Sequence, residues 1–169
     1  MNALDDKAAT IPRIGNHPTA PIPGIKFVDH IAIAVKPGDL ENQVKAYEML
    51  GFREIHRQEV RGTDQVREAL LQIGESQNLI QLLEPLSAES PAQKIVEKNG
   101  GRPGVAHVAF RVESAKQAFE DLQKNGFRII DAAPRAGSRG TTVFFVHPKS
   151  QADHPFGILF EMVEARESE

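Results

Sequence analysis

The chain repeats itself, and the repeat narrows the folds open to it. Phe27-Val-Asp-His-Ile-Ala-Ile-Ala-Val returns as Gly104-Val-Ala-His-Val-Ala-Phe-Arg-Val, so His30 stands where His107 stands later. Gly51-Phe-Arg-Glu-Ile returns as Gly126-Phe-Arg-Ile-Ile, and Ile80-Gln-Leu-Leu-Glu returns as Phe160-Glu-Met-Val-Glu, which sets Gln81 opposite Glu161. A duplicated fold unit explains the matching apolar residues. It does not by itself explain why each copy keeps one imidazole and one amide or carboxylate on otherwise apolar strands.

Length and composition frame what the two copies build. A chain of 169 residues, 40% apolar and 25% charged, suits one soluble globular domain. The net charge of −3, with no basic run, excludes nucleic acid as the main partner but leaves room for one anionic small molecule. The chain has no cysteine, so any metal must be held by nitrogen and oxygen. Residues 1–25 carry Pro12, Pro18, Pro21, Pro23, Gly15 and Gly24, which fits a disordered or surface-draped arm ahead of a single domain at 26–166. No stretch reads as a signal peptide or a membrane span, and a cytoplasmic location is expected.

Hydrophobic periodicity orders the elements. Strands are expected at Phe27–Val35, Phe52–Val60, Val66–Ile73 and Leu79–Leu83. Asp39 is placed to cap a helix whose Leu40, Val44, Tyr47 and Leu50 share a face before Gly51 stops it. A linking helix at Glu89–Lys98 closes at Asn99-Gly100-Gly101. The second copy then offers strands at Val105–Val112, Phe127–Ile130, Thr142–Val146 and Gly157–Glu164. Ser114 and Gln117 form a capping box ahead of a helix that buries Ala115, Ala118, Phe119 and Leu122. Each copy (about 26–86 and 104–165) is therefore βαβββ. The fold class is α+β, with eight strands and two main helices.

Side chains alternate faces along a strand, so His30 shares its face with Ala32 and Ala34, and His107 shares its face with Ala109. The opposite, bulkier face is the one expected to meet the helix, and the alanine face reads as a pocket floor. His30, Gln81, His107 and Glu161 then form a nitrogen and oxygen donor set suited to one divalent ion of cobalt, manganese, nickel or zinc rather than calcium. Singly, each histidine reads more readily as a hydrogen-bonded interior residue. Four polar groups at repeat-equivalent places reverse that weighting. Glu161, on a strand of Ile158, Leu159, Phe160, Met162 and Val163, needs a partner in any case, since an unpaired buried charge is costly.

These features resemble the vicinal oxygen chelate superfamily, in which two βαβββ modules form a half-open barrel around a divalent metal. Within it the chain is most similar to the methylmalonyl-CoA epimerase family. The resemblance rests on Asp29-His-Ile-Ala-Ile-Ala-Val, Val66-Arg-Glu-Ala-Leu-Leu, Gln81-Leu-Leu-Glu-Pro-Leu, His107-Val-Ala-Phe-Arg-Val, Phe145-Val-His-Pro-Lys-Ser and Gly157-Ile-Leu-Phe-Glu-Met-Val. It covers about residues 27–164. It implies metal ligands at the same four residues, His30, Gln81, His107 and Glu161, and a proton carrier at Glu68, with Glu161 the candidate for the opposite face. It further implies an acyl-CoA substrate and a homodimer. Arg111, Arg135, Arg139 and Lys149 are candidates for meeting the anionic groups of such a substrate.

Two other readings remain open from sequence. One is a glyoxalase I-like lyase on the same scaffold, in which a carboxylate usually stands where this chain has Gln81. The other is a metal-free binding protein of the drug-resistance type. A single tyrosine and no tryptophan leave little for an aromatic-lined pocket of that kind.

Overall fold

The computed structural model describes residues 24–150 and 155–166. The expected N-terminal arm up to residue 23, and most of the Gln151–Phe156 segment before the last strand, lie outside the described residues. Strands β1 (Ile25–Ala34), β2 (Phe52–Val60), β3 (Val66–Ile73) and β4 (Leu79–Pro85), with helix α1 (Leu40–Met49), make the first module. Helix α2 (Pro91–Lys98) links it to β5 (Gly104–Val112), α3 (Ala115–Lys124), β6 (Arg135–Ala136), β7 (Thr142–Val146) and β8 (Leu159–Glu164).

All eight strands join one curled half-barrel sheet in the order β2-β3-β4-β1-β5-β8-β7-β6. The first strand of each module pairs in parallel with the fourth, and the modules meet through antiparallel β1 and β5. The sheet is thus related to itself by a pseudo-twofold axis through the β1–β5 seam. Register places the polar residues around that axis. His30 faces Ala109 and Ala32 faces His107 across the seam, while Ala32 also pairs with Gln81 and Ala109 with Glu161. Each ligand-type side chain therefore has a small neighbour on the next strand.

The two helices cover the outward face as the apolar stripes require. Leu40 and Val44 of α1 bury against Val35, Ala69, Leu71 and Leu82. Ala115, Ala118, Phe119 and Leu122 of α3 bury against Val112, Phe144, Val146 and Met162. Gly51 (φ 96°) and Gly126 (φ 76°) end α1 and α3 at equivalent places, in left-handed backbone that a side chain would resist.

Four details differ from the sequence reading. Leu50 falls beyond the buried stripe of α1 and is 76% exposed. Asp39 makes no side-chain bond to the backbone of α1; Asn42 and Gln43 donate to its carboxylate, and the free Leu40 N–H donates instead to Glu84. Ala32 and Ala34 are not an open pocket floor; they are fully buried with Val66, Leu83, Ala92 and Val96, partly under α2. The strand expected at Phe127–Ile130 is reduced to one bridge between Ile129 and Val146. Side chains take its ladder bonds: the Asp131 carboxylate accepts the Phe145 N–H at 2.6 Å and Ser150 Oγ accepts the Arg128 N–H at 2.8 Å, so the backbone ladder stops there and Arg135–Ala136 forms the edge strand instead.

Candidate metal centre

His30 on β1, His107 on β5 and Glu161 on β8 converge across the seam. His30 Nε2 lies 3.1 Å from His107 Nε2 and 3.0 Å from Glu161 Oε2, and His107 Nε2 lies 3.1 Å from the same oxygen. All three residues are buried. Donors bound to one first-row divalent ion at about 2.1 Å, at right angles, stand about 3.0 Å apart, which is the spacing of this triangle.

Gln81, on β4, supplies a second sign of a missing partner. Its Nε2 donates to Glu68 Oε2 at 2.8 Å, which leaves its own Oε1 buried with no hydrogen-bond partner among the described residues. A buried amide oxygen left in this state is costly unless something else meets it. Two imidazoles, one carboxylate and one amide oxygen suit a divalent ion of the cobalt, manganese, nickel and zinc group, so the residues present fit the ion expected of them.

Glu68, on β3, is 2% exposed, and its Oε1 also has no hydrogen-bond partner among the described residues. Burial pushes its carboxyl above the ordinary range, against a hydrogen bond from Ser138 and the charges of His56, Arg139 and His30. Glu68, Gln81, His107 and Glu161 line one cavity of about 690 Å³, whose other walls include Val66, Leu83, Ile95 and Phe145.

Beneath the triangle lies Asp29, which is fully buried. Strict alternation would send it to the face opposite His30, but the β1–β5 register slips between Val28 and His30. The Asp29 carboxylate accepts His30 Nδ1–H at 2.7 Å, Arg139 Nη2 at 3.1 Å and Arg111 Nε at 2.8 Å. Burial works against the Asp29 charge, but His30 and Arg111 hold its pKa down to about 2. Burial likewise pulls His30 down, and the bonds to Asp29 and Glu161 outweigh it, holding the imidazole up at about 9. Glu161 is held well below the carboxylate range by both imidazoles, despite its burial. An acid hydrogen-bonded to the far nitrogen of a ligand-type histidine fixes the tautomer that offers Nε2 to a metal.

The four basic candidates part company. Arg111 and Arg139 face inward onto Asp29, and Arg111 also lies 5.7 Å over the Phe27 ring. Arg135 lines the cavity, stacks 5.5 Å over Phe145 and pairs with Asp131 at 3.0 Å and Asp64 at 3.7 Å. Lys149 is exposed on the turn after β7 and does not line the cavity.

A duplicated βαβββ half-barrel with a His, His, Glu triangle closed across its seam defines a class of paired-module metal-centre proteins. The chain belongs to the Glyoxalase/Bleomycin resistance protein/Dioxygenase superfamily, whose profile matches residues 29–145. It is 29% identical to methylmalonyl-CoA epimerase, mitochondrial, of Dictyostelium discoideum over 83% of this chain and 80% of that one. Among solved structures, methylmalonyl-CoA epimerase from Mycobacterium tuberculosis superposes with a TM-score of 0.75 at 30% identity, covering 88% of this chain and 93% of that one. A Streptomyces coelicolor methylmalonyl-CoA epimerase in complex with 2-nitronate-propionyl-CoA superposes with a TM-score of 0.72 at 33% identity, covering 83% and 98%. Among the described residues no helix is long and apolar enough to cross a membrane.

Proposed function

We propose that this chain is a metal-dependent epimerase that interconverts (R)- and (S)-methylmalonyl-CoA, the activity carried by the names of the relatives above. The observation that carries the reading is the meeting of Glu68, Gln81 and Glu161 with His107 in one cavity, with one oxygen each of Glu68 and Gln81 left without a hydrogen-bond partner among the described residues. The carbon between a thioester carbonyl and a carboxylate is a weak acid, and removing its proton requires a base on one side and stabilised charge on the other. His30, His107 and Glu161 would hold the ion together with Gln81, whose Oε1 has no hydrogen-bond partner among the described residues, with cobalt the first choice. When bound, a divalent ion supplies positive charge against the negative charge that develops on the thioester oxygen.

The protein's own groups do the rest. Glu68 takes the C2 proton on its unpartnered Oε1, while the Gln81 N–H fixes Oε2. Burial raises the Glu68 pKa and makes it a stronger base than a carboxylate in water. Glu161 is the carboxylate on the other side and serves the opposite face of the carbon. Arg135 lines the cavity, which supports it as the residue that meets an anionic group of the CoA chain. A metal-free binding protein would leave the two orphan oxygens unexplained, and that reading is not favoured. The proposal carries with it the homodimer implied by the family resemblance, which light scattering tests.

The test is proton exchange at C2 of methylmalonyl-CoA in D₂O with Co²⁺-loaded protein. Metal-dependent deuterium incorporation with inversion is expected. Glu68→Gln should keep Co²⁺ and lose at least about a hundredfold in exchange rate. A Co²⁺-loaded protein that exchanges nothing would overturn the substrate assignment.

A further inference from the structure

If Glu68 removes a proton from one face and another group delivers one to the opposite face, Glu68 ends the turnover protonated. It must lose that proton before it can act again in the same direction. The following inference rests on that reading. The cavity is a poor exit, because Glu68 is only 2% exposed although it lines that cavity. Gln81 offers its carboxylate an N–H bond, and Ser138 a hydrogen bond, but neither side chain ionises near neutral pH.

His56 is different. It lies on β2, the edge strand of the sheet, and its side chain is 30% exposed where that of Glu68 is 3% exposed. The β2–β3 register pairs Gln58 with Glu68 and His56 with Leu70, so His56 is the diagonal neighbour of Glu68 on the same sheet face. His56 Nε2 stands 4.0 Å from Glu68 Oε1, the oxygen with no hydrogen-bond partner among the described residues. One bridging water or a small side-chain rotation spans that gap. His56 Nε2 also lies 2.9 Å from Gln58 Oε1. An amide offers an acceptor on one side and donors on the other, so Gln58 can match either protonation state of the ring by rotating.

We propose that His56 is the proton outlet of Glu68, carrying the proton from the buried carboxyl to bulk solvent across the edge of the sheet. The O–H bond of protonated Glu68 breaks as its proton passes to the lone pair of His56 Nε2. The Nδ1–H bond of the resulting imidazolium breaks as its proton leaves to water or buffer, and proton exchange of the half-exposed ring with solvent returns it to the Nδ1–H tautomer before the next turnover. Glu68 is left anionic and His56 neutral, and the reverse sequence serves the reverse reaction. Histidine suits the step because its ring has two nitrogens, one to take up a proton and the other to release one.

The experiment follows turnover of Co²⁺-loaded wild type, His56→Ala and His56→Gln in rising concentrations of 1,2-dimethylimidazole, a hindered base that coordinates metals poorly. Wild type should show C2 exchange and epimerisation independent of this base. His56→Ala should lose at least about tenfold in kcat at low buffer, keep its KM and Co²⁺ stoichiometry, and recover as the base is added. His56→Gln should behave the same way, since glutamine keeps a hydrogen-bonding side chain but does not ionise. It decides alone if alanine disturbs the strand. Wild-type rates in both variants at low buffer, or a loss that added base leaves unchanged, would overturn the outlet and leave the epimerase reading standing. A wild type without C2 exchange would sink both.

Discussion

Asp29 shows where single residues were readable and where they were not. The four donors stood out because the chain states them twice. Asp29 has no twin: its counterpart in the second copy is Ala106, so an argument from repetition passes over it. Alternation hid it as well, until the register slip turned it inward beside His30. Replacing Asp29 with asparagine leaves Arg111 and Arg139 facing a neutral amide. The expected cost is about 3 kcal/mol in urea unfolding, at the low end for breaking a buried pair because both arginines still partly reach water. Asp29 also keeps His30 charged in the metal-stripped protein. The His30 pKa is raised to about 9, so the stabilisation it gives is complete below its ordinary value of 6.5 and is lost as pH climbs through about 9. A metal needs the Nε2 lone pair, so its uptake must expel that proton. Co²⁺ affinity should therefore rise about tenfold per pH unit from pH 7 and flatten above about 9. Chelator-buffered Co²⁺ titrations across that range check this, and a flat profile would mean that His30 is already neutral.

Strands and helices were legible wherever apolar periodicity alone decides them, and they failed where a side chain takes a backbone partner. β2, β3 and β7 begin and end where their patterns predict. Phe127–Ile130 has the composition of a strand, but side chains take its ladder bonds, the Asp131 carboxylate at the Phe145 N–H and Ser150 Oγ at the Arg128 N–H. The start of α1 was misread for a related reason, since its cap comes from Glu84, 44 residues away. The second module repeats that device: Glu164 Oε2 accepts the Ala115 N–H at 2.7 Å, three residues after the ligand-type Glu161, as Glu84 follows Gln81. Each fourth strand thus carries both a site residue and the acid that fixes its own module's helix. Glu164→Gln should cost about 1 kcal/mol, the usual worth of a helix-end contact. Glu84→Gln should cost more, because Glu84 is buried and also pairs with Arg67. Urea denaturation of the two variants ranks them, and equal losses would show that the Arg67 pair contributes nothing.

The two modules share one strand pair at the seam, flanked by the Arg139–Asp29 and Arg135–Asp64 pairs, and the donor set straddles it. His30 and Gln81 come from the first module, His107 and Glu161 from the second. An ion bound there must therefore add to the cohesion between the halves, because binding energy gained only in the folded state is folding energy. Co²⁺ at a hundred times its dissociation constant should stabilise the protein by about 2.7 kcal/mol. For a chain of this length that corresponds to a rise of roughly 5–11 °C in the thermal midpoint. Calcium at the same concentration should do little, since two imidazoles suit it poorly. His30→Ala and His107→Ala should each abolish most of the Co²⁺ shift, because each leaves one half of the seam without its imidazole. A shift that survived both His107→Ala and Glu161→Gln would place the ion on the first module alone, and the pseudo-twofold arrangement would then be a relic of duplication, not the frame of the site.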